Sequence, residues 1–115
     1  MLLTTKEIGL LLHIIDHCIR IEETILKIDS FETFVNDKNM KDVACFNILQ
    51  IGELAKRFEP SFLLLHPDVP WQNMKGMRDK VAHGYGSIEF EKVWKTCVED
   101  IQPLHSYCEK LLNSD

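Results

Sequence analysis

From Ile8 to Leu111 the apolar residues of this chain return at intervals of three and four, and no segment alternates cleanly enough between apolar and polar to read as a strand. That period gives each segment one apolar stripe, and a chain built only of such segments can bury its stripes only by packing helix on helix. The pattern predicts an all-α fold, an antiparallel four- to five-helix bundle. At 115 residues, with no internal repeat, low-complexity tract or linker, the chain has room for a single domain, 1–115, around one core.

Local signals divide the chain. Thr4 and Glu7 have the spacing of a capping box. Behind them Ile8, Leu11, Leu12, Ile15, Cys18, Ile19 and Ile25 form the expected buried stripe of a first helix reaching about Ile28. Asp29-Ser30 stops it, with Ser30 placed to cap a short turn carrying Phe31 and Phe34. A third helix is predicted over 37–58, burying Val43, Phe46, Ile48, Ile51, Leu54 and Ala55. Gly52 in its middle costs about 1 kcal/mol relative to alanine, which suggests close approach of another helix. Pro60 is expected to end this helix, with one further turn over 61–66.

The prolines of 66–70 mark a loop, because each biases its predecessor away from helix. Trp71 opens the next helix, through Met74, Met77, Val81 and Ala82 to an end near Gly84 or Gly86. The last helix is predicted over 89–112, with Phe90, Val93, Trp94, Cys97, Val98, Ile101, Leu104, Tyr107, Cys108 and Leu111 facing inward and a bend at Pro103.

Composition narrows the function classes. A net charge of −5 argues against a surface that coats nucleic acid throughout, since such binding rests on many Lys and Arg contacts to phosphate. It leaves room for a site that is positive only locally, and Lys75, Lys80, Lys92 and Lys95 on the last two predicted helices are candidates to supply that potential. The four cysteines form no C-x-x-C pair, no signal peptide is evident, and no apolar run approaches the roughly 18 residues of a membrane span. Reduced core thiols in a cytoplasmic protein, with no membrane partner, are the expectation. His13 and His17 have a spacing that can chelate a metal, but no further ligand completes a set, so neither metal nor cofactor is expected. His66 and His105 read as loop and helix-surface residues, and Trp71 and Trp94 as core anchors. Nothing resembles a P-loop, a dinucleotide fingerprint or a nucleophile elbow.

The chemistry concentrates at the end of the helix that Trp71 opens. Arg78 and His83 are five residues apart, about 140° around a continuous helix, so they converge only if the helix is ending there. Gly84 would supply that ending, and Tyr85 follows between two glycines with its hydroxyl accessible. An imidazole moves protons near neutral pH, and a guanidinium matches a phosphate in charge and shape. Together they suit attack of an RNA 2′-hydroxyl on its own phosphate, His83 handling protons and Arg78 stabilising the transition state, with no metal required. The same two residues would equally serve the last carbonyls and dipole of a helix, and Asp79 could simply pair with Arg78 or a lysine. Spacing alone does not choose.

Three stretches carry a resemblance. They are Asn47-Ile48-Leu49-Gln50-Ile51-Gly52-Glu53-Leu54-Ala55-Lys56-Arg57; Val69-Pro70-Trp71 with Gly76-Met77-Arg78-Asp79; and His83-Gly84-Tyr85 followed by Val93-Trp94 and Glu99-Asp100-Ile101-Gln102-Pro103. In order and spacing the chain resembles, over nearly its whole length, the HepT-like branch of the HEPN superfamily. Phe46 departs from it, standing where that family often has arginine. The resemblance implies a helical bundle, a homodimer with the R-x4-H motifs of two subunits facing a shared cleft, and endoribonuclease activity by a toxin. It implies Arg78 and His83 as catalytic residues and a small nucleotidyltransferase of the MNT type as antitoxin. That partner would transfer AMP from ATP onto Tyr85, placing an anion beside Arg78 and His83 and blocking RNA. Asp79 is compatible with the motif, which commonly carries a polar residue after its arginine. Glu53 is a secondary candidate, placed either to orient Arg78 or His83 or simply to be solvated. A non-catalytic partner of a nucleotidyltransferase, using the same cleft, is the alternative.

Overall fold

The computed structural model describes residues 2–69, 71–83 and 88–114, and every regular element among them is helical. The first helix, α1 (Thr5–Ile25), begins at the expected capping box: the Thr4 hydroxyl accepts the Glu7 N–H at 3.0 Å while the Glu7 carboxylate accepts the Thr4 N–H at 2.9 Å. Ser30 caps α2 (Phe31–Val35) and Asp37 caps α3 (Lys38–Ala55) through the Met40 N–H at 3.0 Å. Each such cap contributes about 1 kcal/mol by satisfying a donor the helix itself leaves open.

Pro60 does not end α3. The helix closes at Ala55, and Pro60 instead opens α4 (Pro60–Leu65), at a first-turn position where its missing N–H has no intrahelical acceptor to lose. After the loop 66–69 comes α5 (Trp71–Ala82). The glycines expected to end it, Gly84 and Gly86, lie outside the described residues. The predicted last helix is present in two parts, α6 (Phe90–Lys95) and α7 (Ile101–Asn113), joined by a π-helical turn (Thr96–Asp100). In it the Ile101 N–H reaches back to the Thr96 carbonyl. Pro103 is the third residue of α7, and in an α-helix its ring would press on the carbonyl four residues earlier, at Glu99. The wide turn stands where that conflict falls.

In packing order the long helices run α7, α1, α3, α5. Lys6 meets Glu59 at 3.5 Å and His17 meets Asn47 at 2.8 Å, so ascending α1 matches descending α3. On the far side of α1, Glu22 meets His105 of α7 at 2.6 Å. The core is mainly apolar, with Leu11, Ile14, Ile21, Phe34, Ile48, Ile51, Met74, Ile101 and Leu104 buried, and it also encloses the polar Asn47 and Thr96. Trp71 packs on Phe58 and Phe62, and Trp94 lies 5.3 Å from Phe34 between ring centroids.

Several residues expected inside face out. On α1, Leu12 and Ile19 are 55% and 40% exposed, while Leu10, Ile14 and Ile21 take the core. Val43, Phe46 and Val98 are likewise exposed. The reverse holds for two histidines expected at the surface. The His66 ring shares a hydrogen bond with the Tyr107 hydroxyl at 3.0 Å and packs on Phe62. The His105 side chain, 18% exposed, stands between Glu22 at 2.6 Å and Glu109 at 2.5 Å.

Candidate active site

The site begins at the crossing of α3 and α5. Gly52 is buried, and a Cβ built on it would stand 2.9 Å from the Met74 carbonyl oxygen, 3.0 Å from Arg78 Cγ and closer still to Arg78 Cβ. The aliphatic stem of Arg78 therefore lies directly on the α3 backbone, which only glycine permits. This is the close approach that a glycine in mid-helix suggested, and its partner is the motif arginine.

Glu53, one residue beyond, turns outward at the edge of the same crossing. Arg78 Nε donates to Glu53 Oε1, and Arg78 Nη1 donates to Asp79 Oδ1 at 3.0 Å. The guanidinium is thus held from two sides, with its side chain 28% exposed against 43% for Glu53 and 58% for Asp79. The hydrogen bonds it donates to Asp79 and Glu53, in that order, raise its pKa above the ordinary arginine value, so the charge is secured. The structure brings Arg78, Glu53 and Asp79 together.

His83 is placed differently. It follows Ala82, the last residue of α5, and its backbone N–H still donates to the Asp79 carbonyl at 3.1 Å, so the helical ladder runs up to it. Its ring is exposed and has no hydrogen-bond partner among the described residues. Among the described residues no hydrogen bond joins Arg78 to His83; the first is turned to α3 and the second is exposed at the end of α5. Tyr85 lies outside the described residues.

Around this centre, Lys80 lines a cleft between α5 and the C-terminal helices together with Lys92 and Lys95, whereas Lys75 lines a separate groove beside α4. His17, half of the expected i, i+4 pair, is turned to the buried Asn47, whose amide also donates to the Val43 carbonyl at 2.8 Å. Sequence reasoning misses this half-buried polar pair; a lone asparagine among apolar residues is its signal. Among the described residues no three His, Cys, Asp or Glu side chains group as metal ligands, and no helix is long and apolar enough to cross a membrane.

The chain is similar to proteins named as ribonucleases. A protein of Thermococcus cleftensis named "Probable ribonuclease HepT" is 40% identical over 81 residues, covering 70% of this chain and 74% of that protein. One of Caldanaerobacter subterraneus named "Putative RNase TTE0752" is 31% identical over 103 residues, covering 90% of this chain and 91% of its own length. No solved structure matches. The family model described as "Ribonuclease HepT-like" matches residues 14–111, nearly the whole helical bundle, and the chain belongs to the HepT-like ribonuclease family.

Proposed function

We propose that this protein is an endoribonuclease in which Arg78 and His83 carry the reaction. The observation that carries the reading is Arg78 itself, a guanidinium seated against Gly52 and fixed by Glu53 and Asp79, at the end of a helix that leaves His83 exposed. His83 takes the proton from the RNA 2′-hydroxyl, the 2′-oxygen bonds to phosphorus, and the bond to the 5′-oxygen breaks as that oxygen takes up a proton. The products are a 2′,3′-cyclic phosphate and a 5′-hydroxyl end. Arg78 stabilises the charge that builds on the phosphoryl oxygens, and no step calls for a metal. Purified protein is expected to cut RNA in the presence of EDTA, and Arg78→Ala and His83→Ala each to abolish cutting. Full activity in both variants would place the chemistry elsewhere.

The resemblance supports a regulated toxin. In this reading the protein is a cytoplasmic homodimer, and an MNT-type nucleotidyltransferase neutralises it by moving AMP from ATP to the Tyr85 hydroxyl, releasing pyrophosphate. An anion attached there competes with substrate phosphate for Arg78. Intact mass after incubation with that partner and ATP is the direct test; a Tyr85→Phe protein should gain no AMP and stay toxic. Loss of cutting without any added mass would favour a partner that acts by binding alone.

A further inference from the structure

Gly76 sits in the middle of α5, and a Cβ built on it would meet nothing within 4 Å. Glycine in a helix interior weakens the helix, and here, unlike at Gly52, no packing contact requires it. Its bare backbone instead lines a cleft of ≈ 600 Å³ between α5 and the C-terminal helices, whose walls carry Lys80, Lys92 and Lys95. In a chain of net charge −5, this gathers three cations on one concave surface. Among the described residues Lys80 and Lys95 have no salt bridge, and Lys92 meets only the exposed Glu89, at 3.4 Å. Glu99 and Asp100 also line the cleft; burial, then Glu99, raise the Asp100 carboxyl above the usual carboxylate range against the opposing pull of Lys95.

The cleft leads toward the candidate active site. Lys80 lies one helical turn beyond Gly76. His83 lies seven residues beyond, which is about two turns, roughly 10 Å along and within about 20° of the same face. Arg78 leaves α5 on another side, across Gly52.

We infer that this cleft seats the backbone of a single-stranded RNA, with Lys80, Lys92 and Lys95 each neutralising a phosphate and the strand passing over Gly76 toward His83. The inference deepens the ribonuclease reading and rests on it. Three ammonium groups along one cleft suit a polyanion whose condensed counterions are released on binding. A glycine in the floor lets the sugar-phosphate chain approach the helix more closely than any side chain would allow. The acidic remainder of the surface repels the same strand and so directs it to the cleft. Lys75, although adjacent in sequence, lines a different groove with Lys56 and takes no part.

Binding of the full-length protein to a short labelled 2′-O-methyl oligonucleotide, which cannot be cut, tests this apart from catalysis. Fluorescence anisotropy across a range of salt should show a log–log slope shallower by about 2 in the K80Q/K92Q/K95Q variant, about 0.7 for each lost contact, with affinity down of order 10-fold. K75Q should behave as the unaltered chain. G76L, whose side chain enters open space, should keep the fold, melt higher and bind less. Equal slopes and affinities in the triple variant and the unaltered chain would overturn the inference, as would an equal loss in K75Q. G76L that changes oligomeric state while binding RNA normally would assign the glycine to a contact between copies and overturn it too. A protein that binds through these lysines yet never cuts unmodified RNA would remove the ribonuclease reading and leave the cleft. Cutting and binding both unchanged in the triple variant would do the opposite.

Discussion

The stem of Arg78 fills the space in which a side chain on Gly52 would begin. Two separate helices, α3 and α5, are thereby brought into close contact at the proposed catalytic arginine.

Two glycine substitutions should therefore have opposite signs. Gly52→Ala gains about 1 kcal/mol of helix propensity but drives a methyl against a backbone carbonyl at 2.9 Å, and overpacking of that kind costs about 1–3 kcal/mol. Net destabilisation of up to about 2 kcal/mol is expected, with loss of RNA cutting as Arg78 is displaced. Gly76→Ala meets no atom within 4 Å and should stabilise by about 0.5–1 kcal/mol. Urea unfolding followed by circular dichroism reads both; a stabilised Gly52→Ala would contradict the close crossing.

Arg78→Lys should abolish cutting while leaving the protein folded. A single ammonium cannot donate to Glu53 and Asp79 from separate nitrogens and still present a flat face to phosphate. Glu53→Gln tests positioning more finely. It keeps the shape and removes the charge that holds Arg78, so kcat should fall of order 10- to 100-fold with KM little changed. A change in KM alone would mean that Glu53 acts on substrate affinity rather than on arginine geometry.

Trp71 anchors the end of α5 away from the motif. It is 4% exposed, packs on Phe58 and Phe62, and its indole N–H donates to the His66 carbonyl at 3.1 Å. Trp71→Ala is expected to cost about 3–5 kcal/mol, and Trp71→Phe about 1–3 kcal/mol because the ring is largely kept but the carbonyl loses its donor. Denaturant midpoints rank the two; equal losses would mean that the ring packing contributes nothing and the lost hydrogen bond accounts for the whole effect.

The thiols should make the fold sensitive to alkali. Burial pushes Cys97 and Cys108 up to about 12 and raises Cys18 further still, from an ordinary value of 9.0. The folded state then holds these protons more tightly than the unfolded one. The resulting stability is fully present below pH 9.0 and is lost as pH rises toward about 12. Tyr107, raised above 10.0 by burial and by Asp68, adds in the same direction. All four cysteines are buried and none is in a disulfide, so a maleimide should label them only in denaturant. Rapid labelling of the native protein would show that the core opens.

What could be read from sequence was what depends on neighbours in the chain. The Thr4–Glu7 box, the Ser30 cap and the start of α5 at Trp71 are decided within a turn, and the structure has them. Helix faces were less legible. Leu10-Leu11-Leu12 and Ile14-Ile15 offer overlapping stripes, and only the placement of α1 between α3 and α7 selects Leu10 and Ile14 over Leu12 and Ile15. Pro103 signalled an interruption but not that it would take the form of a π turn. At the site, Glu53 can from sequence orient either Arg78 or His83, but 25 positions separate it from Arg78, and only the crossing at Gly52 decides which of the two it meets.

The seat of Arg78 on α3 has an entropic consequence. A surface arginine samples many rotamers, and freezing them is part of what an anion must overcome when it binds. Here the first two methylenes are already confined by a neighbouring backbone and the guanidinium by two carboxylates, so that ordering is completed when the chain folds. An arriving phosphate has only to displace Glu53 or Asp79, an exchange of partners rather than a search through conformers. The affinity and geometry of that encounter are set before the ligand arrives.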